Sequence, residues 1–218
     1  MSDVVEITLR SLAVSGTSTV IAAVLGVPMG VMLAMSDRKL SRGMLIAANA
    51  GMAMPPVLVG LVVAILLWRN GLLGFLGLIY TPTAMILAQT IIALPLVVAL
   101  TAAAVRALEP DFWTQTMALG ASRVQAAGVL LREARSGLLA AVLAAFGAAL
   151  SEVGAVMMVG GNIAGETRVL TTSVLAATRM GEFERALGTG SVLLGLSVIV
   201  AACVTIAQGK TWHRRPVP

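Results

Sequence analysis

Apolar runs without a charge alternate with short polar segments along the whole chain. Ser11–Ser36, Gly43–Trp68 and Asn70–Val105 contain no Asp, Glu, Lys or Arg. Ser136–Ser151 is followed by a lone Glu152, then a second charge-free stretch to Gly165, and 186–209 is the last run. A helix that crosses a bilayer needs roughly 20 apolar residues. The pattern therefore predicts an all-α, polytopic protein with five spans, near 11–35, 45–68, 83–105, 137–159 and 187–208. The run from 70 to 105 is too long for one helix. Its first part, "NGLLGFLGLIYTPT", is rich in glycine and turn residues and reads as a loop.

Five spans place residues 1–10, 69–82 and 160–186 on one side and 36–44, 106–136 and 209–218 on the other. The second side carries Arg38, Lys39, Arg42, Arg106, Arg123, Arg132, Arg135, Lys210, Arg214 and Arg215. The first side carries half as many: Arg10, Arg69, Arg168, Arg179 and Arg185. Loops rich in Lys and Arg stay in the cytoplasm, so the N-terminus is expected outside and the C-terminus inside. The first run is long enough to span and its basic cluster follows it, so it reads as a span and not a cleaved leader.

Composition agrees with this class and removes others. Of 218 residues, 58% are hydrophobic and 11% charged, where a soluble domain carries about 25% charged residues. The net charge of +5 lies between apolar runs without aromatic platforms, and does not point to nucleic acid. Cys203 stands alone in an apolar run and His213 is the single histidine. No disulfide framework, metal cluster or Ser-His-Asp site can be assembled from them. The chain reads as one domain, 1–218, without internal repeats.

Residues 109–135 break the apolar pattern and face the cytoplasm. Pro110 and Asp111 suit the first turn of a short helix. That helix runs to about Leu119, where Gly120 is a left-handed stop. Ser122 and Gln125 have the spacing of a capping box that opens a second helix. Val124, Ala127, Gly128 and Leu131 recur at helical spacing and predict its apolar face. Two short helices joined at Gly120–Ser122 read either as an amphipathic surface linker or as a docking element for a soluble partner.

"MALGASRVQAAGVLL" resembles the cytoplasmic loop of ATP-binding-cassette (ABC) importer permeases, with Ala118, Leu119, Gly120, Ala121 and Ser122 in the matching places. Thr114, Gln115 and Thr116 replace that loop's acid and Ala-Ala, and Leu131-Arg132 replaces its Leu-Pro. The resemblance covers nearly the whole chain. "PPVLVGLVVAILLWRNGLLGFLG", "ALPLVV" and "SEVGAVMMVGGNIAGETRVLTTSVLAATRMGEFERALG" are similar to the molybdate, tungstate and sulfate branch, most closely its tungstate permeases. The resemblance implies a type I importer permease fold. It also implies that Gln115, Thr116, Ala118, Leu119, Gly120, Ala121, Ser122 and Arg123 form the coupling contact with an ATPase. The implied assembly is a homodimer with two ATP-binding cassette subunits and an extracytoplasmic oxyanion-binding protein, in a bacterial or archaeal inner membrane. The implied cargo is tungstate, with molybdate or sulfate as alternatives. ATP and Mg belong to the partner ATPase, and this chain is expected to bind no cofactor or metal and to catalyse no reaction. An ATP-independent carrier is the rival of a different class.

Glu152 falls roughly 22 Å along the fourth span if that span is a straight helix at 1.5 Å per residue. A carboxylate at that depth faces protein or a water-filled path. It reads as a pathway or gate residue, or as one held by Ser151 or a partner helix. Asn162, Thr167, Thr171 and Thr172, with Arg168 beside them, either meet an oxyanion or a binding protein, or cap loop helices. Gly26 and Gly30 either permit close helix packing or, with Pro28 between them, mark a bend. Gly209-Lys210-Thr211 lacks the glycine that a phosphate-binding loop requires at position 204 and is no nucleotide site.

Overall fold

Helix α1 (Ser2–Ala34) and helix α4 (Pro82–Arg106) form the spine of the protein. In this computed structural model, which describes residues 2–36, 38–108 and 112–212, the two run parallel. Ser18 meets Gln89, Gly26 meets Val97 and Gly30 meets Thr101, each at the same offset of 71 residues. A Cβ on Gly30 would come within 2.7 Å of the Val98 carbonyl oxygen. The two glycines are therefore packing positions, and α1 continues through Pro28 without ending.

Parallel neighbours require the chain between them to return across the layer. That return is made by α2 (Lys39–Met52) and α3 (Pro56–Leu67), which meet at 99°. The expected straight span 45–68 is thus two helices. The cause lies at Pro55 and Pro56, which donate no N–H, while each proline disfavours helical backbone in the residue before it. Pro55 adopts φ −59° and ψ 121°, outside the helical region. Residues 70–81 are a loop, as read from the sequence, with one 3-10 turn at Gly74–Leu76. Tyr80 anchors it: its N–H donates to the Val159 carbonyl at 2.8 Å, and its ring meets Trp68 edge-on at 6.0 Å.

The fourth expected span, 137–159, is also broken. Helix α7 (Arg135–Leu150) and helix α8 (Gly154–Gly160) meet at 58°. Glu152 sits in the break, so the depth counted along a straight helix does not apply. Helix α7 runs antiparallel to α4: Gln89 bonds Ala149 near one end, and Gly137 packs on Ala104 near the other. The half-helices α3 and α8 pack on each other, with Gly60 of α3 against Ala155 of α8 and Gly154 against Val57.

Residues 160–186 were expected as a loop, but 170–179 form a further helix, α9 (Leu170–Arg179). Its buried residues include Leu170, Thr171, Thr172, Ser173 and Ala177. Small hydroxyl side chains hid a packed face inside a polar-looking segment. The last helix, α10 (Phe183–Trp212), begins three residues before the apolar run that predicted it, with Phe183–Arg185 extending it beyond the apolar stretch. By length and composition, the long stretches in α1, α4 and α10 can each cross a membrane unaided, and the count reaches five if each bent pair is one span. No strand forms among the described residues.

Candidate functional site

Two short helices, α5 (Phe112–Ala118) and α6 (Arg123–Glu133), occupy the central polar segment. Pro110 and Asp111, read as the start of the first, lie outside the described residues, as does the side chain of Arg123. Gly120 has φ +88°, which only glycine adopts at no steric cost. Its N–H donates to the Met117 carbonyl and the Ala121 N–H to the Thr116 carbonyl, which closes the end of α5. The capping box is present. Gln125 N–H donates to Ser122 Oγ at 3.4 Å, and Ser122 N–H donates to Gln125 Oε1 at 2.8 Å. Thr116 Oγ1 donates to the Phe112 carbonyl at 2.7 Å and tightens α5.

The buried face of α6 differs from the one expected. Ala126, Leu130 and Ala134 are buried, the last two against Val31 of α1 and Val105 of α4. Val124 is 82% exposed and Leu131 39% exposed. The residues at 124, 127, 128 and 131 share a helical spacing, but small alanines at 126 and 134 allow the closer approach to the spine. Of the expected apolar face, Val124, Gly128 and Leu131 are therefore exposed and Ala127 is half-buried. Leu119, at the tip of the turn, is 89% exposed. Gln115, Ala118, Gly120 and Ser122 are also exposed, and Thr116 and Ala121 are half-buried. The turn presents two bare aliphatic side chains, Leu119 and Val124, on a rigid, capped scaffold. Ala134 ends α6 and begins α7, so the segment is continuous with a bent span.

Glu152 lies at the opposite end of α7. Its Oε1 accepts the Ala155 N–H at 2.9 Å and so caps α8. Its carbonyl accepts the Thr171 hydroxyl at 2.9 Å. The side chain is half-buried, and no ion pair with an arginine forms among the described residues. Ser151, its neighbour, lines an open groove between α7 and α10 with Leu143, Gly147, Ser197 and Val200.

The candidates in the 160–172 segment are largely committed to one another. Asn162 has φ +55° after Gly161 at +70°, and asparagine tolerates that region better than most residues. Its Oδ1 accepts from Arg168 Nε at 3.3 Å. Thr167 is fully buried; its hydroxyl donates to the Gly160 carbonyl at 2.5 Å and accepts the Ile163 N–H at 2.9 Å. Thr172 closes the start of α9 on Val169. The structure brings Asn162, Thr167 and Arg168 into one loop, with Glu152 tied to the same region through Thr171. The coupling candidates lie apart from them, at the far end of α7.

Sequence reasoning missed the residues that hold this loop. Arg10 donates from Nη2 to the Gly165 carbonyl at 2.7 Å and from Nη1 to the Arg168 carbonyl at 3.3 Å, and Ser11 Oγ accepts the Leu170 N–H at 2.8 Å. An arginine placed just before a charge-free run was the available signal. Thr167→Val is expected to leave the buried Gly160 carbonyl and the part-buried Ile163 N–H unpartnered at unchanged shape. The loss is about 2 kcal/mol, read as amide exchange about 30-fold faster across 160–168. Unchanged exchange there would show that the hydroxyl does not hold the loop.

Residues 26–211 match a family described as the binding-protein-dependent transport system inner membrane component. The tungstate uptake system permease protein of Peptoclostridium acidaminophilum is 41% identical over 198 residues, covering 91% of this chain and 87% of that protein. A probable anion ABC transporter permease protein of Haloferax volcanii is 40% identical over 203 residues, with 91% and 88% covered. The fold matches an inward-facing structure of a methionine ABC transporter with a TM-score of 0.79 at 22% identity, covering 97% of each chain.

Proposed function

The chain belongs to the binding-protein-dependent transport system inner membrane component family, and from that premise we propose that it is the permease subunit of an ATP-driven importer of tungstate. The observation that carries the cargo is the 41% identity, along 91% of the chain, to a tungstate uptake permease. The exposed Leu119–Val124 turn supports the coupling role. Leu119 and Val124 at the two sides of a water-facing turn offer a partner apolar area to bury, and a partner ATPase supplies the work that this chain does not.

In this reading the chain crosses the membrane five times, each bent pair counting once, with the N-terminus outside. The parallel α1–α4 pair and the antiparallel α7 support the alternation, and the basic residues support its sense. Two copies line a path that a single copy is too small to enclose. ATP closes two cassette subunits, which move Gln115–Arg123 and with them α7. An extracytoplasmic binding protein then releases its oxyanion into the path, and ATP hydrolysis and product release restore the inward-facing state. Glu152, half-buried beside the α7–α10 groove, faces that path. A direct bond between its carboxylate and a dianion is disfavoured by like charge, so its place is in the gate. Asn162 and Arg168 shape the outer mouth, and Thr167 holds their loop closed.

The reading predicts that cells lacking this chain lose high-affinity tungstate uptake, and that the chain restores it. A hundredfold excess of molybdate or sulfate is expected to compete poorly. Equal competition by molybdate assigns the cargo to that oxyanion, and uptake that never depended on the chain removes the proposed cargo altogether.

A further inference from the structure

The break between α7 and α8 contains neither proline nor glycine from Ala149 to Val153. An apolar segment within a membrane keeps its helical hydrogen bonds unless other groups replace them, because each unpaired backbone group is costly there. Part of the replacement is local: the Glu152 side chain caps the Ala155 N–H at 2.9 Å; the rest comes from neighbouring helices. In a straight helix the Ala149 carbonyl would accept the Val153 N–H. Here it accepts the Glu152 N–H at 3.2 Å in a tighter turn, and Gln89 Nε2 of α4 donates to it at 2.9 Å. Beyond the bend, Thr171 Oγ1 of α9 donates to the Glu152 carbonyl at 2.9 Å.

Gln89 is 3% exposed and fixed at both ends. A carbonyl oxygen only accepts, so the amide NH2 faces Ala149 and Oε1 faces α1, where the fully buried Ser18 hydroxyl lies 3.1 Å away and shares its one proton between Oε1 and the Ser15 carbonyl at 3.0 Å. An amide buried in a membrane span hydrogen-bonds across helices and fixes their relative placement. Its two contacts join the spine to the upper end of α7. The lower end of α7 meets α4 through Gly137 and Ala104, a close packing contact without a hydrogen bond. The outer loop beyond α8 is tied back to α1 by Arg10 and Ser11.

We propose that Gln89 is a positioning residue that pins α7 at Ala149 and makes that point the pivot of the bent span. The coupling segment then swings the lower end of α7, while α8, α9 and the outer loop stay with α1 and α4. This rests on the reading of the chain as an importer permease. Without the Gln89 bond, the Ala149 carbonyl recovers the Val153 N–H, the segment straightens, and the swing no longer turns about a fixed point.

The test uses Gln89→Met and Thr171→Val, both close to the original side chains in shape, in the complete transporter with its ATPase and binding protein. Tungstate moved per ATP hydrolysed is expected to fall about tenfold while hydrolysis continues. Spin labels at Leu139→Cys and Met158→Cys, both exposed positions, in a Cys203→Ser background with labelled copies diluted among unlabelled ones, report the bend. Straightening is expected to lengthen their separation by about 3 Å at 1.5 Å rise per residue. Variants that assemble and keep both the wild-type ratio and the wild-type distance overturn the proposal. Should Gln89→Met fail to assemble, Thr171→Val decides by the same two readouts. A wild-type transporter with no tungstate-dependent hydrolysis removes the importer reading instead. The distance needs no cargo: lengthening still supports the pivot, and an unchanged distance overturns it.

Discussion

Gly120→Trp is expected to reduce tungstate uptake about 100-fold while the chain reaches the membrane in normal amounts. The size follows from the loss of a central interface anchor, about 2–3 kcal/mol. The chain itself has room for the change, since a Cβ at Gly120 meets no heavy atom within 4 Å. The internal cost is that of a side chain at φ +88°, about 1–2 kcal/mol, confined to a surface turn. What the indole does disturb is the space beside Leu119 and Val124, which nothing in the chain fills. Gly120→Ala separates the two effects, because it carries the backbone strain without the bulk. Uptake by the alanine variant is expected to stay within about threefold of wild type, and the tryptophan variant is expected to lose co-purification with the ATPase. Wild-type uptake by Gly120→Trp would remove the coupling role from this turn.

Gly60→Val is expected to do the opposite and prevent assembly of the folded chain. A Cβ at Gly60 would lie 2.5 Å from Ala155 Cα and 3.2 Å from its carbonyl oxygen. Both are backbone atoms, so no rotamer relieves the contact. Separating α3 from α8 also opens the packing of Val59 and Val63 against Val156 and Val159, the centre of the largest buried cluster. Overpacking a core costs about 1–3 kcal/mol where side chains can yield, and more is expected where helix backbones must part. Gly16→Val is the control, because a Cβ there meets nothing within 4 Å. Size-exclusion profiles in detergent are expected to show at least a tenfold loss of monodisperse Gly60→Val and a normal profile for Gly16→Val. A monodisperse Gly60→Val would mean that the half-helices α3 and α8 are not held by this contact.

These two glycines differ in how far they could be read from the sequence. Gly120 was legible because a left-handed stop and a capping box are local, and their partners lie within five residues. The bend at Pro55–Pro56 left a signal of the same kind, two residues without N–H groups, and only its angle required the structure. Gly60 gave no signal, since any glycine in an apolar run looks like the next and only the backbone opposite distinguishes it. The outward turn of Val124 was hidden for the same reason. Periodicity defines a helix face, and the neighbour chooses which face is covered.

The positions of the apolar runs, the basic bias of alternate loops and the capped turn at 120–122 were determined by the sequence alone. Each depends on run length, charge or groups within one helical turn. The 58° break at Glu152, the burial of Thr167, the helix hidden in 170–179 and the role of Gln89 were decided only by tertiary structure. Gln89 bonds a carbonyl 60 residues away, and a hydrogen bond between spans leaves no trace in the spacing of either.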